Sequence, residues 1–351
     1  MTPPILRIAV PVPIGDSFDY LWNGAGPAPR PGTRISVPFG RSRRIGVVVG
    51  VAEASDLPPD KLKPAGEPLD GEPLIGTELL ETLRWAADYY HHPIGEVFSQ
   101  ALPGLLRKGR PAEPKREALW TLTPAGAAQD VAAVAVKAAR QALALTLLAG
   151  GPLAAGELRR AGVAADTLRR LADKGWVQSA RGAASPRAGA ASAASPPPEL
   201  TAEQRRALDE IEGHGAGFAA FVLHGATGSG KTEVFLRLIE RTLRDRRQAL
   251  LLVPEIGLTP QLVSRLRDRF GERLSLMHSG LADSVRLDAW HRARTGSAGI
   301  VVGTRSAVFA ELADPGLVIV DEEHDAAFKQ QQGFRYSARD LAVLRARRLD
   351  V

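Results

Sequence analysis

Near the N-terminus, apolar side chains recur in short runs: Leu6, Ile8 and Val10, then Arg34 to Val37, then Ile45 to Val51. A two-residue period turns one face of each run toward a core, so these runs predict strands and a β-rich N-terminal region. Between the last two runs, Pro38-Phe39-Gly40-Arg41-Ser42-Arg43-Arg44 reads as a hairpin tip with three arginines. Such a tip is either a solvated turn or a basic loop presented by a small barrel, a common way to hold nucleic acid. Trp85 and Tyr89 share one helical face in a ring-dense stretch ending in Tyr90-His91-His92-Pro93, which is expected to pack at a domain junction. Adjacent histidines do not face one another on a helix, and no acidic or Cys partner stands at a matching spacing, so a metal pair is not expected there.

From about residue 110 the period lengthens toward the helical one. Ala138 to Leu148, Ala154 to Arg160 and Ala165 to Lys174 predict three short helices, followed by a strand-like tail at Trp176-Val177, the parts of a winged-helix or similar bundle. Arg181 to Glu199 holds Ala, Ser, Pro and Gly with almost no large apolar side chain, and reads as a linker. After it come the alternating elements of an α/β domain. Thr201 and Gln204 open a helix, Ala219 to Leu223 reads as a short buried strand, and Val234, Leu238 and Ile239 mark the helix after it. Ala249 to Val253, Ser275 to Met277, Ile300 to Val302 and Leu317 to Val320 read as further strands. Thr259 caps a helix beginning at Pro260, with Leu262, Leu266 and Phe270 four apart.

The length of 351 residues exceeds one ordinary core and predicts two or three domains, with 44% hydrophobic and 24% charged content typical of a globular protein. A net charge of +6 is compatible with a polyanionic partner, although an Arg- and Ala-rich composition gives the same figure. The absence of cysteine excludes disulfides and Cys-ligated zinc within these residues. Prolines 3, 4, 11 and 13 interrupt any leader peptide, and Lys137, Arg140 and Gln141 break the Ala-rich stretch from Val131 to Gly150. No membrane association and a cytoplasmic location are therefore the expectation.

Chemistry concentrates where Phe221, Val222 and Leu223 give way to a glycine loop, Gly225 to Thr232, of pattern G-x-x-x-x-G-K-T. Between a strand and a helix, such a loop aims backbone N–H groups at phosphate oxygens with the positive end of a helix dipole behind them. Thr227, Gly228, Ser229 and Gly230 would wrap the phosphates, Lys231 would reach the β- and γ-phosphates, and the Thr232 hydroxyl would complete a Mg²⁺ shell. The bland alternative is a glycine-rich turn with an exposed lysine. Gln204 closes a capping box with Thr201, or its amide selects the edge of adenine.

The run Leu317 to Val320 ends at Asp321-Glu322-Glu323-His324. In a parallel sheet, ligands gather at the carboxyl ends of strands, so Asp321 would emerge beside the loop to hold Mg²⁺ through water, and Glu322 would act as general base on the attacking water. A helix cap followed by solvated acids is the alternative. Pro254 to Gln261 and Gly303-Thr304-Arg305-Ser306 follow strands on the same expected edge, where Thr304 and Arg305 are suited to a phosphate backbone; ordinary turn chemistry favours the same residues. Phe328, Phe334 and Tyr336 interleave with Lys329 and Arg335, as rings for base stacking beside cations for phosphates. Ser337 and Asp340 fit the capping box of the next helix.

Taken together, Phe18-Asp19-Tyr20, Val37 to Gly40, Trp85 to Gly95, Gly225 to Thr232, Val253 to Gln261, His278-Ser279-Gly280, Gly303 to Ser306 and Asp321 to Tyr336 resemble the N-terminal part of the PriA family of replication-restart helicases, DExH members of superfamily 2. The resemblance implies a multi-domain fold: a small β-barrel-like domain over residues 1–105 that captures a 3′ DNA end, a winged-helix-like domain over 106–180, the linker over 181–199, and a RecA-like P-loop lobe with a mainly parallel sheet over 200–351. It implies that Asp19 contacts the terminal nucleotide in a pocket lined by Phe18, Tyr20, Phe39 and Gly40. It also implies that Lys231, Asp321, Glu322 and His324 belong to the ATP-hydrolysing group, and that Phe328 to Tyr336 is an aromatic-rich loop linking strand binding to hydrolysis.

ATP with Mg²⁺, forked and single-stranded DNA, 3′-to-5′ translocation, primosomal proteins and single-stranded DNA-binding protein follow from the same resemblance. The family's second lobe, its arginine finger and its Cys-rich zinc region would lie beyond Val351, which accounts for the absence of zinc ligands. Ser337 stands where many relatives are expected to carry histidine, so a DNA contact there is not expected. Two other readings remain: a fork-binding module with weak nucleotide binding and no motor activity, and a P-loop kinase or transporter ATPase, which leaves the basic hairpin and the ring-and-cation segment unexplained.

Overall fold

The computed structural model describes residues 3–113, 119–180, 198–226 and 228–351. They belong to two compact units, one drawn from residues 1–114 and 190–351 and the other from 115–189. The architecture is that of a multi-domain α/β protein.

In the larger unit the alternating runs become β1 (Ile5–Ala9), β2 (Phe18–Leu21), β3 (Arg34–Phe39) and β4 (Ser42–Ala52), with a short β5 (Lys63–Pro64). The sheet order is β3-β4-β1-β2-β5; every pairing is antiparallel except β2 with β5. Leu6, Ile8, Ile35, Val37 and Val48 are buried together on one face. Phe39 pairs with Ser42 across the β3–β4 turn, where Gly40 has a φ of 59°, so the basic tip is a tight hairpin of exposed arginines. Helices α1 (Thr77–Tyr89), α2 (Ile94–Ala101) and α3 (Gly104–Arg107) follow.

The same unit contains the parallel sheet described below, and α1 and α2 share their apolar core with it. Leu83, Ala86 and Phe98 are buried in one cluster with Trp290, Phe309, Phe334 and Leu341. The contact is also polar. Arg345, 3% exposed, places its guanidinium on both Glu78 oxygens at 2.8 to 3.2 Å and donates to the carbonyls of Val308 and Ala310 at 2.6 and 2.9 Å. Glu311 accepts from the Gly76 N–H at 3.1 Å, and Arg294 donates to the Pro73 carbonyl at 2.9 Å.

The smaller unit holds β6 (Leu119–Leu122), α4 (Pro124–Ala127), α5 (Val131–Ala149), β7 (Leu153–Ala154), α6 (Ala155–Arg160), α7 (Ala165–Asp173) and β8 (Val177–Ala180). Its antiparallel sheet runs β7-β6-β8, packed on Leu145, Leu148, Leu158 and Leu168. The expected helix at Ala138 is longer than its periodicity predicts: α5 starts at Val131 under an Asp130 cap and breaks at Ala138, where φ is −154°. Its 19 residues meet the length and composition of a membrane span, which corrects the expectation that no run reaches that length. Eight of these residues are alanine, Lys137 and Arg140 lie within the helix, and Ala144, Leu145 and Leu148 are buried inside the unit.

The remainder of the larger unit is α8 (Ala202–Gly213), α9 (Lys231–Arg244), β9 (Gln248–Leu252), α10 (Pro260–Phe270), β10 (Leu274–Met277), α11 (Asp283–Arg294), β11 (Ile300–Gly303), β12 (Pro315–Val320) and α12 (Ala338–Leu349). The sheet order is β10-β11-β9-β12, all parallel. One expectation fails here. Ala219 to Leu223 does not join the sheet: it is irregular, with Phe221 43% and Val222 86% exposed. An apolar run becomes a strand only where a neighbour completes its hydrogen bonds, and among the described residues the open edge of β12 is not paired with it.

Candidate nucleotide and nucleic-acid sites

Parallel register sets the geometry of the sheet's carboxyl edge. Met277 lies level with Gly303, Gly303 with Leu252, and Val320 with Leu252, so His278, Thr304, Val253 and Asp321 leave the sheet at one level. The Asp321 N–H donates to the Leu252 carbonyl at 2.9 Å, which fixes the acid at the strand end. Burial pushes the Asp321 carboxyl above the ordinary carboxylate range, and the charge of Glu322 adds to the shift; the Lys231 charge opposes it, so the lysine and the acid sense one another. Glu322 has a φ of 49°, and its N–H donates to the Asp321 carboxylate at 3.0 Å. Glu323 turns away to pair with Arg339 at 2.9 Å, and His324 stays exposed, 3.8 Å from Glu322.

The glycine loop enters α9 through left-handed backbone: Gly228 and Gly230 have φ of 84° and 85°. No side chain caps α9; its Glu233 N–H donates to the Gly230 carbonyl at 2.9 Å, and the positive end of the helix faces the glycine loop. The Lys231 ammonium donates to the carbonyls of Gly225 at 2.7 Å and Ala226 at 3.4 Å, folding back over its own loop. Thr227 lies outside the described residues; Ser229 stands between the two glycines, and Thr232 is the second residue of α9.

Gln204 does two things at once. Its amide oxygen and backbone N–H close the capping box with Thr201 at 3.0 and 3.2 Å, and its amide nitrogen lies 3.4 and 3.3 Å from the Ser229 and Gly230 carbonyls. The cap reading of this side chain is thus present, joined by a tether to the glycine loop that the sequence did not signal.

A cavity of about 890 Å³ opens in the N-terminal part of the same unit, and Phe18, Asp19, Tyr20, Phe39 and Gly40 all border it. Phe18 and Phe39 meet edge to face at 5.1 Å, the favoured geometry of two ring quadrupoles. Asp19 accepts a hydrogen bond from the Ser55 hydroxyl at 2.5 Å, with Arg7 at 4.0 Å. Tyr20 is nearly buried: its ring is core and its hydroxyl donates to the Pro38 carbonyl at 3.0 Å, so it braces the β3 end instead of standing open. Sequence reasoning missed Lys61, Lys63, Asp88 and His91, which also line it, because they come from separate elements of the chain.

The ring-and-cation segment also departs from expectation. Phe328, Phe334 and Tyr336 are 3%, 5% and 0% exposed, so their faces are covered by protein and not open to bases. Phe334 packs against Tyr90, His92, Phe309 and Tyr336, and burial drives the Tyr336 hydroxyl's pKa upward. Lys329 and Arg335 remain exposed. Thr304 is buried, and Arg305 donates through Nη1 to the Ala327 and Lys329 carbonyls at 3.0 and 3.3 Å, so it holds the loop's backbone. The Ser337 hydroxyl caps α12 by accepting from the Asp340 N–H at 3.3 Å, but the Ser337 N–H goes to the Tyr90 hydroxyl at 3.2 Å, which leaves the box half made.

Two family models match the chain: the PriA 3'DNA-binding domain over residues 7–103, and the DEAD/DEAH box helicase over residues 201–348. Among curated proteins, the chain is 38% identical to the replication restart protein PriA of Haemophilus influenzae over 99% of its own length and 48% of the relative's. It is 30% identical to the protein of that name from Bacillus subtilis, over 90% of its own length and 48% of the relative's. With that of Treponema pallidum it shares 46% identity over 42% of its own length. The chain spans about half the length of the curated relatives it matches most fully. With its 3'DNA-binding domain, its helicase region and these relatives, the chain belongs to the PriA family of replication restart proteins.

Proposed function

We propose that this chain provides the DNA-end-binding and ATP-binding parts of an ATP-dependent 3′-to-5′ DNA helicase that recognises stalled or repaired replication forks and initiates primosome assembly. The observation that carries the reading is the cavity around Asp19, which lies within the residues matched by the 3'DNA-binding domain. Asp19 would accept the terminal 3′-hydroxyl and the ring pair Phe18–Phe39 would form an apolar wall for sugar or base, with Gly40 allowing close approach. Residues 1–105 are thus assigned to end capture as a barrel-like domain, 106–180 to a winged-helix-like domain, 181–199 to a linker and 200–351 to the first RecA-like lobe. Lys329 and Arg335 are the exposed cations assigned to the strand; the buried rings Phe334 and Tyr336 act as the loop's scaffold.

The nucleotide site is assigned to Gly225, Gly228, Ser229, Gly230, Lys231 and Thr232, with Gln204 behind the loop and Thr227 assigned from the sequence pattern alone. The uncapped start of α9, the left-handed glycines and the carboxylate at the end of β12 fit a nucleotide phosphate with its metal. Mg²⁺, held by Thr232, Asp321 and the phosphates, would neutralise charge on the transferring phosphoryl group. Glu322 is assigned to orient water, and His324 to its neighbourhood. Zinc finds no cysteine ligand in these residues. Phosphoryl transfer in such motors takes place between two lobes, of which residues 200–351 are assigned to one.

Two titrations test the reading. Asp19→Ala is expected to weaken binding of a fluorescent forked DNA by about tenfold, the scale of one charge-assisted hydrogen bond. Lys231→Ala is expected to weaken ATP binding while leaving the fork affinity alone. Unchanged fork affinity in the first variant removes the end-binding assignment, and unchanged ATP affinity in the second removes the phosphate cradle.

A further inference from the structure

Three consecutive residues between α1 and α2 face two different sites. His91, in left-handed backbone with a φ of 48°, borders the end-binding cavity together with Asp88 and Pro93. A residue with a Cβ held there is kept only by a surrounding structure that over-determines it. The bracing is visible: the His91 N–H donates to Asp88 at 3.2 Å, the His92 N–H to Ala87 at 2.9 Å, and the Ile94 N–H to Gly15, another residue of the cavity wall, at 3.2 Å. Tyr90 turns instead toward the aromatic loop, and His92, which also borders the cavity, meets both. The Tyr90 hydroxyl accepts from the Ser337 N–H at 3.2 Å, and its ring meets Phe334 at 5.8 Å. The Lys329 ammonium stands 5.3 Å over the Tyr90 ring, and the His92 ring lies 5.4 Å from Phe334. On the far side the loop is tied back to the helicase region through Arg305, and the Gln330 N–H closes it on itself by donating to the Tyr336 carbonyl at 2.9 Å.

We propose that Tyr90 is a positioning residue that couples the end-binding cavity to the aromatic loop, so that a 3′-terminal nucleotide in the cavity changes the order of residues 326–337. This rests on the end-binding assignment above. The physical content is that a turn braced on both sides shifts as one piece: a ligand pressing on His91 moves Tyr90 and His92, whose partners are the loop's ring and the cap of α12. No chain of contacts outside these residues is required.

Amide hydrogen exchange on the full chain tests it, with a deoxydinucleotide bearing a free 3′-hydroxyl as the probe, a ligand of the size a cavity of about 890 Å³ can take. In the wild type, saturating dinucleotide is expected to change exchange across residues 326–340 at least threefold. Tyr90→Leu, which removes the ring and hydroxyl of a residue that does not itself line the cavity, is expected to keep dinucleotide affinity within twofold and lose the response. Tyr90→Phe, which keeps the ring, is expected to restore most of it. Dinucleotide binding with no change in 326–340 of the wild type overturns the coupling while leaving end binding intact, as does a full response in Tyr90→Leu. Absence of dinucleotide binding overturns both readings.

Discussion

Replacing Glu78 by alanine removes the carboxylate that balances Arg345, a cation 3% exposed between α1 and α12. The guanidinium then keeps only the Val308 and Ala310 carbonyls and the neighbourhood of Glu311, whose own oxygen is bonded to the Gly76 N–H. Breaking a buried pair on one side costs about 3–5 kcal/mol, because the surviving charge has lost its water as well as its partner. Glu78 retains 18% side-chain exposure, so water offsets part of the loss and the lower end, about 3 kcal/mol, is expected. At about 2–4 °C per kcal/mol for large domains, the melting midpoint of the larger unit falls by roughly 6–12 °C.

Urea unfolding followed by tryptophan emission, to which Trp290 of the shared core contributes, reads the change. The double variant Glu78→Leu/Arg345→Leu is expected to be milder than either single change, since no unpaired charge remains. A cost below about 1 kcal/mol for Glu78→Ala, the range of an exposed pair, refutes the reasoning, and so does a double variant that costs the sum of the singles.

Three further outcomes follow from the geometry. Burial raises the Glu311 carboxyl above its ordinary value; the folded form then holds a proton the unfolded chain has released, so stability is full below the ordinary carboxylate range and declines as pH rises through the raised value. Glu311→Gln is expected to flatten that decline in urea titrations run from pH 4 to 8, and an unaltered profile contradicts the assignment. Gly230→Ala puts a Cβ 2.2 Å from the Gln204 amide nitrogen at a φ of 85°, so loss of ATP binding with little change in unfolding is expected from nucleotide titration and circular dichroism. Gln204→Ala removes the reciprocal arm of the capping box and the tether to the loop, for which about 1 kcal/mol of destabilisation and weaker ATP binding are expected.

Local features were legible in the sequence because local physics makes them. Leu6, Ile8 and Val10 alternate and are buried; Thr259, Thr201 and Ser337 look like caps and cap their helices. Ala219 to Leu223 misled because hydrophobicity reports a capacity to pair, while the partner is set elsewhere in the chain. Phe334 and Tyr336 misled for a related reason: rings interleaved with cations look the same whether a base or Tyr90 covers them. The junction of Glu78 with Arg345 joins residues 267 positions apart, and no periodic signal links them. At the cavity, Phe18, Asp19 and Phe39 were visible through family resemblance, whereas Ser55, Lys61 and Lys63 on its other walls belong to no motif.

The central claim is that the Asp19 cavity reads the end of a DNA strand, and one comparison addresses it directly. Calorimetric titration of the chain with two oligonucleotides that differ only in a terminal 3′-hydroxyl or 3′-phosphate isolates the atoms said to meet Asp19. The account predicts tighter binding of the hydroxyl form by about tenfold, a preference that disappears in Asp19→Ala. Equal affinity of the unmodified chain for the two oligonucleotides contradicts it.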